Sequence, residues 1–123
     1  MNIHGLEAEK ILTAHGYDPE IVEAIKMHNE KAHGLKRHKP LHHALAAAET
    51  ITGMITATTL VYPDKRLKSV KANSVIKRMK QKAFAASVER EKIYECELIG
   101  FQLIDFAELS LNAMSKVSDE LGL

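Results

Sequence analysis

The sequence has one cysteine, no tryptophan and only three prolines in 123 residues. A lone Cys96 excludes an internal disulfide framework and suits a reducing compartment. Aromatic residues amount to 5%, too few for a typical sandwich or barrel, so helices rich in Ala, Leu and Ile are expected instead. No basic-then-apolar leader precedes His4, which gives the expectation of a cytoplasmic protein without a secretion signal. Excess charge is lacking too: 17 basic and 16 acidic residues give +1. That balance makes no global case for nucleic acid or a membrane surface. What is present is enough for a core, at 46% hydrophobic residues. The length is that of one domain, so residues 1–123 are expected to form a single all-α domain.

Charge is unevenly spread behind the balanced total. All seven histidines fall at 4, 15, 28, 33, 38, 42 and 43. Residues 65–82 carry eight Lys/Arg and no acid, whereas 83–123 carry three basic and eight acidic groups. The basic block lacks interleaved aromatics and any recognition motif. It therefore reads as a solvated face facing an acidic C-terminal helix rather than a nucleic-acid surface.

Punctuation and periodicity give about six helices. Residues 3–15 have apolar or small residues at 3, 8, 11, 12 and 14, closed by Gly16. Asp18-Pro19-Glu20 is a helix start: a cap, a first-position proline and an acid at the positive dipole end. The helix it opens sets Ile21, Ala24, Ile25 and His28 on one stripe, and residues 29–40 read as an exposed polar loop. Between Pro40 and Pro63 the only charge is Glu49, but five Thr and two His make residues 41–61 a buried helix rather than a membrane span. Asn73 or Ser74 opens a helix to about Lys82. Ser87 caps a segment running to Ile99, which Gly100 closes. A last helix places Leu103, Phe106, Ala107, Ala113, Met114, Val117 and Leu121 inward, ending at Gly122.

Three residues stand out chemically. In a hairpin turning at Gly16-Tyr17, His4 and His28 lie side by side at the end away from the turn, since each residue rises about 1.5 Å. Glu49 is an isolated carboxylate on an uncharged stretch, costly to bury unless paired. Two imidazoles and a carboxylate suit a divalent metal such as zinc, iron, manganese or magnesium. Gly53 and Thr52, one turn on, would let a neighbouring helix approach Glu49 closely. The plainer alternatives are a hydrogen-bonded core histidine and a Glu49–Lys salt bridge. His33, His38, His42 and His43 read as solvated loop residues, and His15 as a favourable charge at a helix C-terminus.

The runs His4-Gly5-Leu6-Glu7-Ala8-Glu9-Lys10-Ile11-Leu12, Gly16-Tyr17-Asp18 and Ile21-Val22-Glu23-Ala24-Ile25-Lys26-Met27-His28-Asn29 form a pattern. It continues through Ala46-Ala47-Ala48-Glu49-Thr50-Ile51-Thr52-Gly53-Met54-Ile55, Tyr62-Pro63-Asp64-Lys65 and Ser69-Val70-Lys71-Ala72-Asn73-Ser74-Val75. Lys82-Ala83-Phe84-Ala85-Ala86 and Asp119-Glu120-Leu121-Gly122-Leu123 complete it. Together these resemble the later portion of the HD-domain metal-dependent phosphohydrolase superfamily, in particular its small predicted hydrolases. The resemblance implies an all-helical bundle with a metal held between helices. It puts His4 and His28 at downstream histidine positions and Glu49 where a final Asp is expected. The adjacent His-Asp pair and the upstream His of that pattern do not occur in this chain.

The expectation is thus a divergent or shortened HD-type protein whose metal would hydrolyse a phosphomonoester or phosphodiester, on a phosphorylated small molecule. Lys65, Lys68 and Lys71 would offset the substrate phosphate. The alternative is a non-catalytic helical homodimer keeping a remnant metal site, its self-association covering apolar stripes left by the missing helices.

Overall fold

Asp18 separates the first two helices as its neighbours require. In the computed structural model, which describes residues 3–123, its side chain accepts the backbone N–H of Glu20 at 2.8 Å, and Pro19 takes the first helical position. Residues 1 and 2, on which the expectation of no leader partly rests, lie outside the described residues. Helix α1 spans His4–Ala14 and α2 spans Pro19–Met27. Gly16 closes the turn between them at φ +76°, a conformation that favours glycine. A 3₁₀ turn follows at Glu30–Ala32, then α3 (Pro40–Leu60), a second 3₁₀ turn at Leu67–Ser69, α4 (Ala72–Met79) and α5 (Arg90–Tyr94). A third 3₁₀ stretch, Glu95–Ile99, leads to α6 (Leu103–Ser115) and α7 (Ser118–Leu121). The fold is all-helical, with no strand among the described residues. No helix among these residues is long and apolar enough to cross a membrane.

Two compact units form, residues 1–46 and 47–123, divided inside α3. In the first, α1 packs on α2, with Val22, Ala24 and Met27 buried. They approach closely at Gly5, where an added Cβ would stand 2.8 Å from the Lys26 carbonyl oxygen. Lys26 also reaches across to Glu9 at 3.2 Å.

In the second unit, Ile51, Met54 and Ile55 of α3 are fully buried with Leu67, Val75, Ile93, Cys96, Phe106 and Ala107. Each large apolar side chain so buried stabilises by about 1.5–3 kcal/mol. The threonines of α3 enter the core without stranding a hydroxyl: Thr58 and Thr59 each donate to the carbonyl four residues earlier, Met54 and Ile55, at 2.8 Å. Helix α4 packs on α6.

The C-terminal third departs from the periodicity in two places. Ser87 starts no helix, because Arg90 captures the preceding loop. Its guanidinium donates to the carbonyls of Ala85 (2.8 Å), Val88 (2.9 Å), Gln81 (3.1 Å), Met79 (3.3 Å) and Phe84. A five-donor fork can gather such a ring of carbonyls, which no cap residue could. The last helix is broken after Ser115, with Val117 at φ −120°. Phe106 and Ala107 of the expected stripe are buried, together with Leu111, but beyond the break Val117 and Leu121 are exposed. Cys96 is a buried, free cysteine; burial, then the neighbouring Glu97 charge, holds its thiol above the usual range.

Candidate metal centre

The α1–α2 hairpin brings His4 and His28 together. Their Nε2 atoms are 2.9 Å apart and their ring centroids 4.8 Å, inclined at 54°. The outer nitrogens are also engaged: His28 Nδ1 faces the Ile25 carbonyl, and His4 Nδ1 lies 3.1 Å from the Asn29 amide nitrogen. Asn29 itself is buried. One assignment satisfies the whole chain. Asn29 donates to His4 Nδ1, His4 Nε2–H donates to His28 Nε2, and His28 Nδ1–H donates to the Ile25 carbonyl. Turning the Asn29 amide would make His4 Nδ1 the donor and leave both Nε2 lone pairs facing one point. With bonds of about 2.1 Å to an ion, nitrogens 2.9 Å apart subtend close to a right angle. That is narrower than a tetrahedral angle, and the separation is that of a hydrogen-bonded pair. His28 already has the carbonyl partner on Nδ1 that metal-binding histidines use to fix their tautomer.

Glu49 belongs to the second unit. Its expected burial is not observed: the residue is exposed, its carboxylate accepts from Thr50 Oγ1 at 3.2 Å, and Thr52 Oγ1 donates to its carbonyl at 2.6 Å. A helix with a polar outer face carries a lone carboxylate without needing a partner. The close approach expected at Gly53 is an ordinary one, with Val88 Cγ2 at 3.5 Å from a built Cβ.

A different trio converges within the first unit. Glu23 on α2, His38 before α3 and His42 in its first turn have ligand atoms within 4.8 Å of one another, so they could hold a metal ion. No other group of three His, Cys, Asp or Glu among the described residues does so. Glu23 Oε1 lies 3.0 Å from His42 Nε2 and 4.0 Å from His38 Nε2, while Oε2 lies 3.4 Å from Lys39 Nζ. The two imidazoles meet edge to face, centroids 4.9 Å apart.

His42 overturns the expectation of a solvated histidine, since it has no exposed surface. Its Nδ1 accepts the backbone N–H groups of His38 (3.3 Å) and Lys39 (3.4 Å), a side chain reaching back over its own helix start. Its Nε2 has no hydrogen-bond partner despite the nearby Glu23 oxygen, which stands off the N–H direction. Burial pushes the His42 imidazole below its ordinary range more than the Glu23 charge raises it. Partial burial raises the Glu23 carboxyl, but the Lys39 bond and charge outweigh it, so the group sits below the usual carboxylate range. With His42 neutral, Lys39 is the main source of that stabilisation.

The remaining loop histidines are mixed. His33 Nε2 contacts the Lys26 carbonyl at 3.1 Å and its Nδ1 accepts the Leu35 N–H at 2.9 Å, so it ties the loop to α2. His15 Nδ1 donates to the Ile11 carbonyl at 2.7 Å in the last turn of α1. Of the expected phosphate-binding lysines, Lys68 and Lys71 share a cleft of about 440 Å³ in the second unit, with Glu108 in its wall, whereas Lys65 is not part of that lining.

Sequence reasoning missed the Glu23–His38–His42 trio because its members come from a helix, a loop and a helix start. The available signal was His42 opening an uncharged stretch, a position where a solvated side chain is out of place. No family model, curated protein or solved structure matches the chain.

Proposed function

We propose that the protein is an HD-type divalent-metal-binding helical domain acting on a phosphate ester, with His4 and His28 as its imidazole ligands. The observation that carries this reading is the pair of Nε2 atoms 2.9 Å apart, with His28 fixed from behind by the Ile25 carbonyl. A bound ion would supply Lewis acidity toward a phosphate oxygen. His4 and His28 would hold it, Asn29 would orient the His4 ring, and Gly5 would let α1 approach near enough for the rings to meet. The test is hydrolysis of p-nitrophenyl phosphate and bis(p-nitrophenyl) phosphate by tag-free protein with added Mn²⁺, Mg²⁺ or Zn²⁺. Turnover that disappears in His28→Ala supports the reading, and absence of turnover with every ion contradicts the catalytic half of it.

A second reading, a non-catalytic homodimer, is favoured by one observation. Ile11, Tyr17 and Ile21 are at least half exposed on the hairpin, at 59%, 57% and 50%. A second copy covering this face would give a dimer that Ile11→Glu splits in light scattering; a monomeric parent protein contradicts it.

A further inference from the structure

We infer that Glu23, His38 and His42 form a second divalent-cation site, independent of the His4–His28 pair, opening onto a cleft in the first unit. Two separate observations meet here. Three ligand atoms of the types zinc prefers lie within 4.8 Å of one another. One of them, His42 Nε2, is fully buried, 3.0 Å from Glu23 Oε1 and without a hydrogen bond. A buried donor left unsatisfied is costly, and coordination of an ion by this nitrogen removes that cost.

The rest of the geometry defines what kind of site this is. Glu23 and His38 also line a cleft of about 450 Å³, with Tyr17, Lys26 and Lys36 in its wall. An ion held by two histidines and one glutamate would keep at least one coordination position, and two of the three ligands, Glu23 and His38, line the cleft. Lys26 is paired with Glu9 in the same wall, so Lys36 is the lysine that would draw a small anionic ligand, such as a carboxylate or phosphate, to the cleft. The His38–Glu23 separation of 4.0 Å is wider than the ~3.4 Å between ligands of a tetrahedral zinc. His38 closes that gap readily, since its side chain is 64% exposed.

Two features set the affinity. Lys39 Nζ, 3.4 Å from Glu23 Oε2, stands where a cation's charge is needed and competes with it. Coordination through His42 Nε2 places the ring proton on Nδ1, which gives up two long amide contacts of 3.3 and 3.4 Å. Both features make binding weaker than the ligand set alone would give.

The test is titration of tag-free, full-length protein with Zn²⁺ by calorimetry and with Co²⁺ by visible absorption, which reports coordination geometry directly. Glu23→Gln and His38→Ala, both outside the buried core, should each weaken one equivalent of binding at least tenfold, the scale on which even supporting ligands act. Lys39→Ala should tighten it several-fold, which a merely structural role for the cluster would not produce. A His4→Ala/His28→Ala double variant should keep this equivalent, so failure here is distinguishable from failure of the hairpin pair. Unchanged binding in both Glu23→Gln and His38→Ala overturns the inference. So does loss of all binding in the double variant alone.

Discussion

Gly5 and Gly53 both sit in helices, and alanine at the two positions should act with opposite sign. Alanine gains about 0.8–1.0 kcal/mol over glycine inside a helix. Gly53 is exposed in mid-α3, and a Cβ there meets only Val88 Cγ2 at 3.5 Å, an ordinary contact. Gly53→Ala should therefore stabilise by about 0.5–1 kcal/mol. Gly5 is buried in the first turn of α1, where the propensity gain is smaller, and its Cβ would stand 2.8 Å from the Lys26 carbonyl oxygen. The obstacle is backbone, which cannot swing away as a side chain can. Overpacking of this kind costs about 1–3 kcal/mol, so Gly5→Ala should be net destabilising by about 1–2 kcal/mol. At roughly 3–4 °C per kcal/mol for a chain of this size, its melting point should fall while that of Gly53→Ala rises. Circular dichroism melts of the two variants and the parent decide it. The same separation of α1 from α2 should part His4 and His28, which histidine ¹⁵N spectra would register as a change of tautomer. A Gly5→Ala protein at least as stable as its parent would refute the close-packed hairpin on which the site rests.

Three more expectations follow from the same physics. Arg90→Ala releases five carbonyls, of which Gln81 is solvent-facing and Met79 distant; with about 1 kcal/mol for each of the other three, denaturant unfolding should show a loss near 3 kcal/mol, and a loss under 1 would be contrary. Asn29→Ala removes the buried partner of His4 Nδ1 and should weaken metal binding at the hairpin by about 10–100-fold, as supporting ligands generally do, read by calorimetry. The pH dependence follows from His42, held below its ordinary 6.5. As pH falls through 6.5 the unfolded chain takes up a proton that the folded chain refuses, so stability is full above 6.5 and declines below it. Glu23, held below 4.5, adds stability that is present above 4.5 and lost as pH falls through its folded value. Denaturation midpoints at pH 7.5 and 5.5 should differ less in His42→Gln than in the parent, and an equal drop would contradict the assignment.

The helical class and the first hairpin were legible because their signals are local. Asp18, Pro19 and Gly16 act within a few residues of themselves, and the structure uses each as its chemistry suggests. The pairing of His4 with His28 was legible too, since a short turn fixes which residues lie abreast. The loop before Arg90 was not, because one guanidinium gathers carbonyls from residues 79–88, a pattern without periodicity. Nor was the break after Ser115: the amphipathic stripe holds at Phe106 and Ala107, but the chain turns at Val117 and the stripe does not continue to Val117 and Leu121. Glu49 misled because an uncharged stretch implies burial of its neighbours, not of every residue on it. His42 misled in the other direction, since polar neighbours at 36–39 suggested a solvated side chain, whereas the turn into α3 carries it inside.

The central claim, that the first hairpin holds a divalent metal between His4 and His28, is tested most directly by elemental mass spectrometry. Tag-free protein and its His4→Ala/His28→Ala variant would be loaded with excess Zn²⁺ and dialysed side by side. The account predicts one equivalent fewer in the variant, with helicity unchanged. Equal metal in the two proteins, or none in the parent, would contradict it, leaving the two rings as a hydrogen-bonded pair that shares a proton.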